Sequence, residues 1–287
     1  MNASQEPARW VGHQFISFDE TPIFYHCTTT EGPPKGIVII IHGMGEHGGR
    51  YRAFAEYLAG LGLQSYLPDL RGFGRSDGKR ACVRKFSDFH EDLHALQSWV
   101  SRTNKETPIF LLGHSLGGLV ASSYLSLTPH PKVTGLVLSS PLFGIAIPVP
   151  FWKHWTAIFA SYLFPDHTEA NHVDPSLLTH DAEILHNYEK DPLIFHRIST
   201  RLYRELQRTL NEKDRIARDL KSPVLTLQAG EDFIVSKVET LQFYNKIETS
   251  EKEFEVYDGF YHEILNEVHR DTVYSRIGLW ILKQLRA

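Results

Sequence analysis

Short uninterrupted apolar runs alternate along this chain with longer stretches in which apolar residues recur every three or four positions. The runs at 36–41 (GIVIII), 64–70, 108–112, 133–139 and 224–228 read as strands, and the first is apolar throughout, as a strand buried on both faces must be. Residues 254–257 make the last such run. Residues 15–18 and 23–27 flank the turn-rich Asp19-Glu20-Thr21-Pro22, which predicts an opening hairpin. Helical periodicity fills 51–61, 86–101, 116–127, 237–247 and 266–285. Strand and helix alternating in this way are the pattern of an α/β domain on a mostly parallel sheet.

Between about 143 and 219 the rhythm stops. That interval has no convincing strand, but it has aromatic residues, Asp-Pro steps and three helical patterns, so it is expected to be a helical cap or lid (143–219) inserted into a core made of 1–142 and 220–287. Its first segment, 151–164, is apolar on nearly all sides, and a helix of that kind must be covered by protein or by something greasy. A second lobe packed on the sheet and a lid that touches lipid both satisfy that requirement.

Composition narrows the classes. With 287 residues, 42% of them hydrophobic, the chain can bury one large core or two modest ones. A net charge of -4 leaves no basic stripe for phosphates, so no nucleic acid partner is expected. Cys27 and Cys82 form neither a C-x-x-C pair nor a disulfide pattern and read as reduced thiols of a cytoplasmic protein. Residues 1–9 lack the pattern of a secretory leader. No window reaches the ~18 uninterrupted apolar residues of a spanning helix; the nearest, 145–164, is broken by Pro148, Pro150, Lys153 and His154. A soluble protein is expected, with peripheral membrane contact left open; nothing in the sequence sets an oligomeric state.

The chemistry concentrates at strand ends. Gly113-His114-Ser115-Leu116-Gly117 follows the strand at 108–112 and opens the helix at 116–127, which is the setting of a nucleophile elbow. A serine hydroxyl needs a base, and the base needs an acid to hold its tautomer; on such a sheet these follow later strands in the order Ser, acid, His. After the strand at 224–228 comes Ala229-Gly230-Glu231-Asp232, where Asp232 is the expected acid and Glu231 the alternative. After the last strand, Asp258-Gly259-Phe260-Tyr261-His262 supplies the base; His269, the nearest rival, falls inside a helical pattern. The oxyanion requires two N–H donors, expected from Leu116, directly after the nucleophile, and from Met44 in His42-Gly43-Met44-Gly45. The glycine-rich loop at 68–76 lacks G-x-G-x-x-G and is not read as a dinucleotide site, and no histidine cluster has metal-ligand spacing.

These residues resemble the monoacylglycerol lipase and lysophospholipase group of α/β-hydrolases. The likeness rests on HGMGEHGGRY at 42–51, PDLRGFGRSDG at 68–78, GHSLGG at 113–118, DPSLLTHD and YEKDPL in the insertion, and the loops of Asp232 and His262. It implies an eight-stranded, mostly parallel sheet with helices on both faces and a helical cap, and hydrolysis of a small acyl-ester lipid through an acyl-enzyme without cofactor or metal. It also implies that Glu46, Arg50 and Tyr188 line the polar end of the site near a glycerol head group. For Glu46 and Arg50 an ion pair at helical spacing is the alternative, and for Tyr188 a packing aromatic. A short-chain esterase, a thioesterase or a non-catalytic ligand-binding protein on the same fold are the competing functions.

Overall fold

The computed structural model describes residues 9–127, 132–146, 151–171 and 173–286. The segment read above for a leader, 1–9, lies almost wholly outside them, as do Pro148 and Pro150.

In chain order the elements are β1 (Trp10–Ile16), β2 (Pro22–Thr28), β3 (Gly36–Ile41), α1 (Arg52–Gly60), β4 (Leu63–Pro68), α2 (Ser87–Thr103), β5 (Ile109–His114), α3 (Leu116–Leu125), β6 (Gly135–Ser139), α4 (Phe151–Leu163), β7 (Thr168–Ala170), α5 (Ala182–Lys190), β8 (Arg197–Ser199), α6 (Thr200–Asn211), α7 (Lys213–Asp219), β9 (Val224–Ala229), α8 (Lys237–Lys246), β10 (Lys252–Tyr257) and α9 (Arg270–Gln284). Eight strands form one sheet in the order β1-β2-β4-β3-β5-β6-β9-β10. β1 pairs antiparallel with β2, and β2 antiparallel with β4; every other neighbour is parallel. The expected eight-stranded, mostly parallel α/β-hydrolase sheet is present.

The sequence of β3 shows why the sheet is covered twice. Ile37, Ile39 and Ile41 pack into one core with Phe89 and Leu93 of α2, Leu119 and Val120 of α3 and Phe243 of α8. Val38 and Ile40 point the other way, into a core with Phe54 and Leu58 of α1 and Ile277, Trp280 and Ile281 of α9. Side chains that alternate across a strand leave no polar position when both faces are covered. Each such buried large apolar residue contributes roughly 2 kcal/mol.

Two expectations need correction. The opening strand runs over Trp10–Ile16 rather than 15–18, because β1 is an edge strand paired only to β2 and its middle carries Gly12, His13 and Gln14 at exposed positions, which breaks the apolar pattern. The interval between β6 and β9 does contain strands: β7 and β8 pair antiparallel, Glu169 opposite Ile198, but at three residues each they leave no alternation to read. Among its described residues the same interval holds four helices, α4 to α7, where three patterns are legible. On α4, Trp152, Trp155, Phe159 and Tyr162 recur at helical spacing, and each is exposed. No helix among the described residues is long and apolar enough to cross a membrane.

Candidate active site

The elbow forms because β5 ends where α3 must begin without a linker. Ser115 takes φ 50° and ψ -117°, a backbone conformation that costs a non-glycine residue of order 1–3 kcal/mol and persists only where the surroundings enforce it. The Ser115 N–H donates to Ser139 O (3.1 Å) of β6 and its carbonyl accepts from Gly118 and Leu142, which clamps the strained residue from both sides. Small neighbours are obligatory. A Cβ at Gly113 would lie 2.3 Å from Gly117 O, and one at Gly117 would lie 2.1 Å from Ile41 O.

Ser115 and His262 border one cavity of about 550 Å³. His262 is fully enclosed, and its Nδ1–H donates to Asp232 Oδ2 at 2.9 Å; since a carboxylate only accepts, this contact sets the tautomer and leaves Nε2 as the basic nitrogen. Asp232 Oδ1 in turn accepts from the Ile234 and Val235 N–H groups at 3.0 and 2.9 Å. Burial alone would raise the Asp232 carboxyl, but the adjacent imidazole and these two amides hold it below the usual carboxylate range. Burial disfavours a charged His262, and the Asp232 carboxylate, with Glu263 and Glu46 beyond it, outweighs that and raises its pKa. Glu231, by contrast, is exposed, and His269 is exposed at the start of α9; neither borders the cavity.

Met44 borders the cavity beside Ser115, and Leu116 is the first residue of α3. Among the described residues neither the Met44 nor the Leu116 N–H has a backbone acceptor, so both remain available as donors. Glu46 holds the loop that presents Met44. Its Oε1 accepts from the Gly43 N–H and from Tyr51 OH, both at 2.6 Å.

Glu46, Arg50 and Tyr188 also reach the cavity wall, with the charged groups turned on each other. Arg50 donates to Glu46 at 2.5 Å and forks onto Glu263 at 2.6 Å through both terminal nitrogens, and its guanidinium lies 4.8 Å over the Tyr188 ring. Burial opposes charge on Glu46, but Arg50, then His114 and His42, hold its carboxyl well below the usual range. Glu263 is a site residue that the motif pattern passes over; its place directly after His262, in a loop that turns inward, is the one signal it leaves. His114 lines the cavity as well, its ring 4.8 Å from that of His262, and burial, then His262, depresses its pKa to about 4.

Much of the remaining wall is apolar, from Leu142, Ile198, Leu206, Leu210, Ile234 and Val235, and Glu169, Asn171, Thr200 and Gln207 also border it. The β6–β9 interval is tied across this opening. The Phe195 N–H donates to Gly45 O (2.8 Å), His47 Nε2 donates to Asp191 (2.8 Å), and the Glu263 N–H donates to Leu178 O (2.8 Å). No group of three metal-ligating side chains occurs among the described residues.

With this geometry in place, the comparisons with known proteins are informative. Residues 32–269 match the hydrolase family described as serine aminopeptidase, S33. Phospholipase YtpA of Bacillus subtilis is 31% identical over 84% of this chain and 93% of its own length. Human monoglyceride lipase is 30% identical over 93% of this chain and 88% of its own. The crystal structure of a monoacylglycerol lipase from Paleococcus ferrophilus superposes with a TM-score of 0.82 at 28% identity, covering 91% of this chain and 99% of that one. The resemblance read from the motifs is thereby borne out, and the chain belongs to the serine aminopeptidase S33 family and is a serine hydrolase on the α/β-hydrolase fold.

Proposed function

We propose that this protein hydrolyses the carboxylic ester of a small acyl lipid, a monoacylglycerol or lysophospholipid, with Ser115 as nucleophile, His262 as base and then acid, and Asp232 as the partner that orients and charges the imidazole. Ser115 Oγ attacks the ester carbonyl as His262 Nε2 takes its proton; the Met44 and Leu116 N–H groups receive the oxyanion. His262 then protonates the departing alcohol, and a water activated by the same imidazole releases the fatty acid. One observation carries this reading: the strained serine opens onto a cavity of about 550 Å³ whose wall is mostly apolar, beside the His262–Asp232 pair. A chamber of that kind suits an acyl chain better than a peptide backbone, which needs polar partners along its length.

The polar end supports a head group without net negative charge. Glu46, Glu169 and Glu263 border the cavity, Arg50 is the single Arg or Lys among the described lining residues, and its guanidinium is committed to two of those carboxylates. We read Glu46, Arg50 and Tyr188 as the wall against which the alcohol part lies, residues 143–219 as a cap over a core of 1–142 and 220–287, and the aromatic stripe of α4 as its peripheral contact with a membrane. Two unpaired buried thiols, Cys27 and Cys82, support a cytoplasmic location.

The test is a substrate panel at matched concentration: monoacylglycerols of graded length, lysophospholipids, p-nitrophenyl esters and aminoacyl p-nitroanilides. The highest kcat/KM is expected on a medium or long acyl ester with a neutral head, with negligible cleavage of the anilides. A short-chain optimum without turnover of any lipid would reassign the protein as a general esterase.

A further inference from the structure

β9 is wholly buried and apolar except at Thr226 and Gln228, and Gln228, the one with an amide, has no exposed surface. An amide in such a place costs about 1–3 kcal/mol unless its polar atoms are paired. Gln228 pairs only one end. Its Nε2 donates to Asp232 Oδ2 at 3.0 Å and makes a long contact with Ala229 O at 3.4 Å, whereas Oε1 has no partner among the described residues. The carboxylate fixes the orientation of the amide, because only the nitrogen can face an acceptor.

We infer that Gln228 is a positioning residue for the reaction, acting through Asp232: it holds from beneath the same carboxylate oxygen that His262 holds from the cavity side. This rests on the reading of Asp232 as the partner of His262. Oδ1 is fixed by two backbone amides of its own loop, so the carboxylate can still pivot about that anchor, and Oδ2 is the atom whose direction decides where the imidazole points. Gln228 pins it from the rigid sheet, which a loop cannot do for itself. It also shares the lone pairs of Oδ2 with His262, so the carboxylate accepts less strongly from the imidazole than it would alone.

A purely structural role is separable from this one. Leucine at 228 would match the apolar residues on either side, leave Asp232 Oδ2 still paired to His262, and remove an orphaned buried oxygen, so folding stability should hold or rise. The other groups facing His262 are unchanged by the substitution: His114 at the end of β5, Glu263 in its own loop, Glu46 in the loop after β3, and Arg50, which pairs with both glutamates.

The experiment compares Gln228→Leu, Gln228→Glu and Asp232→Asn with the unmodified protein, using pH profiles of kcat and kcat/KM on a p-nitrophenyl ester together with urea denaturation. For Gln228→Leu the expected result is a kcat about tenfold lower with KM within about twofold. The acidic limb of kcat/KM should move up by about half a pH unit, as a less competed carboxylate holds the imidazolium more firmly, with no loss of stability. Gln228→Glu keeps the shape, and beside Asp232 its buried carboxyl stays protonated and donates to Oδ2 as the amide does, so the limb should stay nearer its unmodified place than in Gln228→Leu. Unchanged kcat and an unmoved limb in Gln228→Leu would overturn the inference, as would a fall in activity that only tracks a loss of folded protein. If Asp232→Asn keeps full kcat, the reading of Asp232 itself has failed; if that variant is crippled and Gln228→Leu is not, only the role of Gln228 has.

Discussion

Arg50 forks onto Glu263, each terminal guanidinium nitrogen 2.6 Å from its own carboxylate oxygen, and so joins the short helical turn after β3 to the loop that carries His262. The same guanidinium reaches Glu46, whose other oxygen holds the Gly43 N–H. One buried cation therefore ties the loop that carries Met44 to the loop that carries His262; Tyr51 donates to the Glu46 oxygen that Arg50 does not reach, and Asn266 donates to Glu263 Oε2, which Arg50 also holds.

Removing Arg50 strands two buried carboxylates. Arg50→Met is expected to lose about 3–5 kcal/mol, the usual cost of an uncompensated buried charge, and Arg50→Lys to recover part of it, since an ammonium cannot fork. Urea denaturation of the two variants and of Arg50→Met/Glu263→Gln measures this. A loss under about 1 kcal/mol in Arg50→Met would show that the pairing contributes little to the fold.

Acid should weaken the protein before its carboxylates titrate. Burial lowers the pKa values of His26, His42, His90 and His114, the last two to about 4, against 6.5 for an ordinary histidine. From pH 6.5 down to 4 the unfolded chain therefore binds protons that the folded chain refuses, and stability falls as pH falls. Each group fully titrating in that window contributes about 1.4 kcal/mol per pH unit. His262, with its raised pKa, acts in the opposite sense: its stabilisation is fully present below the ordinary histidine range and is lost as pH rises through the folded value. Below that range Glu46 and Asp232, both depressed, act in the same direction as the histidines. The urea midpoint followed from pH 7.5 to 4.5 checks it; a flat midpoint contradicts it.

In the proposed reaction the acyl chain lies against the apolar wall that includes Ile198 of β8 and Leu206 and Leu210 of α6. Ile198 is half-buried and borders the cavity, so Ile198→Trp fills space there without forcing the packed core apart. Long-chain substrates should lose about tenfold in kcat/KM, while a short ester changes by less than about threefold. Equal losses at every chain length would place the acyl group elsewhere.

The α4 stripe predicts a separate phenotype. Phe159→Glu/Tyr162→Glu replaces two exposed aromatics, at 67% and 71% of full exposure, with charges. Sedimentation with anionic and neutral vesicles should drop severalfold, and turnover of a dissolved p-nitrophenyl ester should hold within about twofold. Unchanged vesicle binding would assign the stripe another partner.

Much of this molecule is legible before folding, for identifiable reasons. GIVIII reads as a strand because a doubly covered strand has no polar position to confuse the pattern, and Ser115 reads as an elbow because Gly113 and Gly117 are demanded by contacts of 2.1–2.3 Å. Asp232 and His262 follow from their places after β9 and β10. Elsewhere the local pattern carries too little. β1 is set apart by its edge position, which mixes polar and apolar residues, and β7 and β8 are too short to alternate. Chemistry alone does not separate Asp232 from Glu231; the loop does, turning one carboxylate onto His262 and the other to solvent. Gln228 and Glu263 escape notice because a lone glutamine in an apolar run and a glutamate beside a histidine acquire meaning only from partners 4 and 213 residues away.

In the proposed reaction the Ser115 hydroxyl carries the acyl group. Treating the protein with a fluorophosphonate and sequencing the modified peptide by mass spectrometry, alongside turnover by Ser115→Ala, tests it most directly. One adduct is expected, on Ser115, with kcat lowered by about 10⁴-fold or more in a variant that stays folded. An adduct on another residue, or Ser115→Ala hydrolysing esters at the unmodified rate, would contradict it.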